Sequence, residues 1–334
     1  MTRPKIFLTH GPHALAHYYG PRALAGLEAL GEVRRNGSDA VLSVDEMAEL
    51  AHDCDIIVAY RVQPGSAELF QRLPNLLAYC RCAVDIRNID VPAASGCGIL
   101  VTQASAGFQT SVAEWIVGAM IDLGRSITYA AAAYHQGQVP EARMGRELKG
   151  ATLGLIGYGQ IARTLAPIAH ALGMRVLIHD PFASVTSADG TSASFNDVLA
   201  QSDFVAPLAV ATPDTENLID AAAFAAMKPT AFFVNASRGN LVDEQALLDA
   251  LNRRAIAGCA MDVGRATDQM PTPELAAHPR VIATPHIAGL TLPAIEHQSM
   301  ETVRQVTEIL LGRCPPGSVN ADAASRLRAW AKQL

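Results

Sequence analysis

Thr152-Leu-Gly-Leu-Ile-Gly-Tyr-Gly-Gln-Ile-Ala162 runs from an apolar, strand-like segment through two glycines into a helical pattern. Gly157, Gly159 and Ala162 make a G-x-G-x-x-A series. Gly157 permits a tight strand-to-helix turn, Gly159 lets the backbone approach a diphosphate, and Ala162 is small enough for the helix to pack on the strand. The first amides of that helix, at Gln160 and Ile161, and the helix dipole then receive the diphosphate charge. By itself the pattern also fits a structural glycine turn. Its context points to a dinucleotide: the next strand, Met174–His179, ends at Asp180, 18 residues after Ala162. A carboxylate there hydrogen-bonds both ribose hydroxyls and repels a 2′-phosphate, which predicts NAD over NADP. Its plainer role is a turn residue before Pro181.

Outward from this loop, short β-rich runs alternate with helical stretches. Strands are expected at Lys5–Thr9, Ile56–Tyr60, Leu76–Cys80 and Ile99–Thr102, with helices such as Pro21–Leu30 and Val44–His52 between them. A second series follows at Thr152–Ile156, Arg175–His179, Phe204–Leu208, Ala231–Asn235, Gly258–Asp262 and Val281–Thr284. Such alternation predicts parallel βαβ units, hence an α/β chain with doubly wound parallel sheets. A boundary is expected near Gln103–Gly107, ahead of a long helix that Ser111 and Glu114 would open as a capping box. Val112, Trp115, Ile116, Ala119, Met120 and Leu123 give that helix an apolar packing stripe. After Gly289 the chain reads helical, without a strand of its own, and is expected to pack back on the first domain. The division is therefore 1–103 and 292–334 for an outer domain, interrupted by a nucleotide domain at 104–291.

The length of 334 residues suits two domains, and a half-apolar, 17% charged composition is globular. A net charge of −6 argues against nucleic acid or an anionic membrane surface as partner. No apolar run approaches the roughly 20 residues needed to span a bilayer, and the N-terminus lacks a signal-peptide pattern. Six scattered cysteines read as reduced thiols, so a cytoplasmic location is expected. No metal is expected. His10, His13 and His17 have ligand-like spacing, but Gly11 and Pro12 would break the helix that aligns them. Cys80 and Cys82 lack a second ligand pair and read as buried apolar side chains.

Three later strands end in polar residues. Arg238 lies just beyond one, Asp262 closes a second, and His286 lies just beyond the third. Ligands of open parallel sheets bind at the carboxyl ends of strands. An arginine and a histidine at that edge suit reduction of a 2-keto acid: the guanidinium holds carboxylate and carbonyl oxygens, and the imidazolium gives the alcohol its proton.

With the REL-x-G lead-in (Arg146 to Gly150), Gly157–Ala162, NASRG followed by VDE, and TPHIAG, the sequence resembles the D-isomer-specific 2-hydroxyacid dehydrogenases over nearly its whole length. The resemblance implies a Rossmann NAD-binding domain inserted in a flavodoxin-like substrate domain, and homodimers formed through the nucleotide domains. It implies that Arg238 orients the substrate and His286 is the acid/base. Ala236 and Asp262 would join the cofactor site, with Asp262 near the nicotinamide carboxamide. Arg61 would contact the substrate carboxylate, with Val84, Asp85 and Arg87 on the substrate loop.

Two stretches depart from the family pattern. The family's catalytic glutamate lies in D-V-F-x-x-E-P, whereas this chain reads Asp262-Val-Gly-Arg-Ala-Thr267-Asp268-Gln-Met-Pro. Thr267 holds the glutamate position and Gly264 the aromatic one. A threonine orients an imidazole but does not stabilise its charged form; Asp268 would supply the carboxylate if the loop shifts by one residue. The substrate loop reads Cys82-Ala-Val-Asp85-Ile-Arg87-Asn-Ile-Asp90, where the family has glycines. Asp85 would repel an anion unless Arg87 or Arg61 neutralises it. It is the other candidate to replace the glutamate; capping a turn is its simpler role. The leading expectation is an NAD-dependent D-2-hydroxyacid dehydrogenase acting on a small 2-keto or 2-hydroxy acid. The alternatives are a formate-type dehydrogenase needing no acid/base and an NAD(H)-sensing protein with little turnover.

Overall fold

Among the described residues twelve strands form two sheets, and every ladder within them is parallel. The sheets belong to two units of the computed structural model, which describes residues 3–333: Met1–Phe108 with Thr291–Leu334, and Gln109–Leu290.

In the first unit, β1 (Lys5–Leu8), β2 (Glu32–Arg35), β3 (Ile56–Ala59), β4 (Ala78–Arg81) and β5 (Leu100–Gln103) pair in the order β2-β1-β3-β4-β5. This is the flavodoxin-like order. Side chains alternate across the sheet, so each strand feeds two cores. Ile6, Leu8, Ile56, Val58, Ala78 and Cys80 face one, while Phe7, Ile57, Ala59 and Tyr79 face the other. Because both faces are covered, β3 is a continuous apolar run, as buried parallel strands are. The helix Leu292–Leu310 adds Val303, Val306 and Ile309 to the first core. It is fixed to β5 by Gln305, which accepts from Thr102 Oγ1 (2.8 Å) and donates to the Gln103 carbonyl (2.8 Å).

The second unit holds β6 (Thr152–Ile156), β7 (Arg175–His179), β8 (Thr191–Ser192), β9 (Phe204–Pro207), β10 (Phe232–Asn235), β11 (Gly258–Met261) and β12 (Val281–Ala283). Their order is β12-β11-β10-β9-β6-β7-β8. The order of strand addition reverses at β6, which lies between β7 and β9, and this is the switch point at which doubly wound folds bind ligands.

Several local expectations are corrected. The helix Gln109–Arg125 begins two residues before Ser111, so Ser111 is buried within its first turn and there is no Ser111–Glu114 capping box at its start. The strands β2 and β8 were not expected. β2 is the polar edge segment Glu-Val-Arg-Arg, and β8 is two exposed residues, so neither carries an apolar signal. Pro12 starts a helix instead of breaking one: it occupies the first turn of Pro12–Tyr18, where a missing N–H costs nothing. The His13 and His17 rings stack on that helix at 4.3 Å. His10 is buried between Tyr19 and Tyr60, and burial together with the Arg81 charge lowers its pKa to about 3. No helix among the described residues is long and apolar enough to cross a membrane.

Candidate active site

At the switch point Gly157 has φ +102°, and a Cβ there would lie 2.5 Å from the Ala209 amide nitrogen. Only glycine fits. A Cβ on Gly159 would meet nothing within 4 Å, so the backbone opening the helix Gln160–Ala171 is uncovered and has no side-chain cap. The amides of Gln160 and Ile161 therefore begin an uncapped helix, the arrangement a diphosphate needs. Ala162 is fully buried against the sheet. Asp180, just past β7, accepts from the Tyr158 amide (2.7 Å) and the Phe182 amide (2.8 Å). This pins the carboxylate beside the glycine loop. Each oxygen keeps a further lone pair for a ribose hydroxyl. These residues fit a dinucleotide.

The three adjacent strands β10, β11 and β12 carry the second half of the site at the same sheet edge. The Asn235 side chain is fully buried; it accepts from the Ser237 amide (3.0 Å) and donates to the Arg238 carbonyl (3.0 Å), shaping the turn that presents Arg238. Ala236 is buried in this turn. Arg238 is half-buried, and its Nη1 donates to the Ser237 carbonyl at 2.7 Å.

Asp262, only 1% exposed, accepts from Thr284 Oγ1 (2.6 Å) and from the amides of Ile287 (2.8 Å) and Ala288 (2.8 Å). Its carboxylate is enclosed and holds the 284–288 loop, on which His286 sits with φ 56°. Backbone bonds from Asp262 to the Asn235 carbonyl (2.9 Å) and from His286 to the Asp262 carbonyl (3.0 Å) tie the three strand ends together.

His286 Nδ1 lies 2.7 Å from the backbone carbonyl of Asp268. A carbonyl only accepts, so Nδ1 carries the proton and Nε2 is the nitrogen that exchanges one. Two residues were expected to take the place of the family's glutamate, Thr267 and Asp268. Thr267 is exposed, at the tip of a 3₁₀ turn, and the ring nitrogen meets the main-chain carbonyl of Asp268. The reason is conformational. Asp268 and Gln269 are both left-handed (φ 55° and 57°), which turns the Asp268 carbonyl toward the ring.

In the first unit, Asp85 and Arg87 form a two-pronged ion pair, Nε to Oδ1 at 3.0 Å and Nη2 to Oδ2 at 2.5 Å. The pair neutralises Asp85, and the idea that it replaces the glutamate is not supported by these contacts. Val84 is half-buried in the same loop. The Arg61 guanidinium stands 5.5 Å from the Tyr18 ring centre. Sequence reasoning missed Arg81, which is fully buried. It donates to the carbonyls of Tyr60 and Gln63 and to Asn88 Oδ1, joining the loops after β3 and β4. It also missed Arg265 and gave Glu244 no role, although Glu244 lies in the quoted VDE.

The chain is similar to known proteins. Residues 117–288 match the model of the D-isomer specific 2-hydroxyacid dehydrogenase NAD binding domain. A D-3-phosphoglycerate dehydrogenase of Synechocystis is 31% identical over 92% of this chain and 57% of its own length. The chain thus spans little more than half of that relative. An (S)-sulfolactate dehydrogenase of Chromohalobacter salexigens is 38% identical over 73% of this chain and 80% of its own. The apo-structure of D-lactate dehydrogenase from Escherichia coli superposes with a TM-score of 0.83 and 26% identity, covering 94% of this chain and 99% of that one. The chain belongs to the D-isomer specific 2-hydroxyacid dehydrogenase family, and its second unit contains the family's NAD binding domain.

Proposed function

We propose that the protein is an NAD-dependent oxidoreductase interconverting a small 2-keto acid and its D-2-hydroxy acid. The observation that carries this reading is the His286 ring, protonated at Nδ1 toward the Asp268 carbonyl. That leaves Nε2 to give a proton to the nascent alcohol in reduction or take it in oxidation. Arg238, presented two strands away at the same edge, orients the carboxylate and carbonyl oxygens through paired N–H donors. A nicotinamide held there would supply the hydride to the substrate C2 in reduction or take it in oxidation. Gly157, Gly159, Gln160, Ile161 and Asp180 hold the dinucleotide, with Ala236 beside it. In the first unit Arg61 and the Val84 segment are assigned to the substrate carboxylate, whose repulsion by Asp85 is cancelled by Arg87.

The test is NADH consumption with glyoxylate, pyruvate and hydroxypyruvate. Turnover of at least one, giving the D-hydroxy acid, is expected. Tight NADH binding with no turnover of any keto acid would favour a sensor instead.

We further propose that the active form is a homodimer joined through the second unit. The helix Ile127–His135, ITYAAAAYH, buries none of its own residues. Ile127 (53% exposed) and Tyr134 (63%) stand in solvent, as does Met144 in the segment that follows. An apolar helix so placed is the signature of a covered interface. Wild type is expected at twice 35.3 kDa by light scattering, and Ile127→Asp with Tyr134→Asp at the single-chain mass. A double variant that remains dimeric would place the interface elsewhere.

A further inference from the structure

The segment that departs from the family pattern is a closed loop. The Gly264 amide donates to the Gln269 carbonyl (2.7 Å) and the Ala266 amide to the Met270 carbonyl (2.9 Å), so 264–270 folds back on itself around the Thr267–Gln269 tip. Two successive non-glycine residues in the left-handed region are costly, and such a tip persists only when its surroundings over-determine it.

The surroundings are Arg265 and Glu244. Arg265 donates from Nε to the Val242 carbonyl (3.1 Å) and from Nη1 to Glu216 Oε1 (2.8 Å). Its Nη2 reaches Asn217 Oδ1 (2.5 Å) and the carbonyls of Asn240 (3.1 Å) and Val242 (3.0 Å). All three guanidinium nitrogens are thus spent on two neighbouring loops. From the other side Glu244, 9% exposed, accepts from the Arg265 amide (2.8 Å) and from Thr272 Oγ1 (2.9 Å), gripping both ends of the loop with one carboxylate. Gly264 makes this grip possible. A Cβ there would lie 2.6 Å from Glu244 Oε1 and 2.6 Å from Pro271 Cα. Gly264 and the Thr267–Gln269 tip therefore belong to one closed loop.

We propose that Arg265 and Glu244 are positioning residues, clamping the 264–272 loop so that the Asp268 backbone carbonyl aims and polarises His286. A main-chain dipole does here what a glutamate side chain does in the resembled family. The inference rests on the reading of His286 as the acid/base. Its test has a readout independent of turnover, the tautomer of His286 in protein carrying ¹⁵N-labelled histidine, with the signal assigned by its loss in His286→Asn.

In wild type the neutral ring carries its proton on Nδ1. In Arg265→Ala the ring shifts toward the Nε2–H form that free imidazole side chains favour. In the same variant kcat for glyoxylate or hydroxypyruvate reduction falls about tenfold or more, with KM nearly unchanged, because a displaced orienting group costs rate and not binding. Arg265→Lys keeps the charge but loses the planar fork, and falls between the two. An unchanged tautomer in Arg265→Ala overturns the proposal, as does a lost Nδ1–H tautomer with wild-type kcat. If the alanine variant does not fold, an unchanged tautomer in Arg265→Lys overturns it equally. Undiminished turnover in His286→Asn would overturn the acid/base reading alone, and the tautomer would still judge the clamp.

Discussion

Replacing His286 by asparagine is expected to lower kcat for keto-acid reduction about 10²–10⁴-fold, while NADH affinity stays within about twofold. Asparagine is chosen for its backbone. His286 sits at φ 56°, and asparagine is among the few residues that enter the left-handed region readily, so the loop keeps its path. The Asp262 contacts to Thr284, Ile287 and Ala288 involve no atom of the ring and survive the change. What disappears is the ring nitrogen opposite Nδ1, the one read as exchanging the proton. A carboxamide neither delivers a proton at Nε2 nor accepts one, and the lost factor corresponds to roughly 3–5 kcal/mol of transition-state stabilisation. Arg238 and the dinucleotide loop stay in place, so some rate above the uncatalysed reaction persists. NADH binding is measured by fluorescence titration and kcat by steady-state kinetics. A variant keeping a third of the wild-type kcat would remove His286 from proton transfer.

Some of this molecule is legible in its sequence because single residue types answer single physical demands. Gly157 is required by a positive φ and by the Ala209 backbone against it. Asp180 stands where a strand must end, and both of its oxygens are held there by amides. The buried strands show as apolar runs since both faces are covered. The exposed edge strands β2 and β8 lack that signal, and the S-x-x-E of Ser111 misled because a capping pattern also occurs inside a helix.

At the site, residue identity marks Thr267 and Asp268 as a departure from the resembled pattern but not the contact that His286 makes. That contact is a carbonyl, which every residue possesses, brought round by two left-handed residues beside the Arg265 and Glu244 contacts at positions 216 to 272. No motif records such a contact. The ion pair of Asp85 with Arg87 is one of the two partners the sequence left open, and a guanidinium two residues away on the same loop is the nearer one.

Asp262→Asn is the second large effect, and it falls on stability as well as rate. The carboxylate is 1% exposed and is met only by donors: a hydroxyl and an amide on Oδ1, a second amide on Oδ2. An asparagine has one acceptor atom. With its oxygen at the Oδ1 position it keeps Thr284 and Ile287, but its own N–H then points at the Ala288 amide, donor against donor. A lost charged hydrogen bond and a buried unsatisfied amide together cost about 2–4 kcal/mol. For a unit of this size that lowers the melting temperature by roughly 4–16 °C. The same repulsion pushes Ala288 outward and carries His286, two residues away, off its line to the Asp268 carbonyl. A displacement on the order of 1 Å costs about 10²-fold in kcat. Asp262→Ala leaves all three donors without a partner and should be less stable still. Calorimetry and keto-acid reduction measured on the same preparations separate the two consequences. If Asp262→Asn melts with the wild type and turns over at its rate, the buried carboxylate does not hold the histidine loop. If it melts early but keeps its kcat, the clamp is structural and His286 finds its place without it.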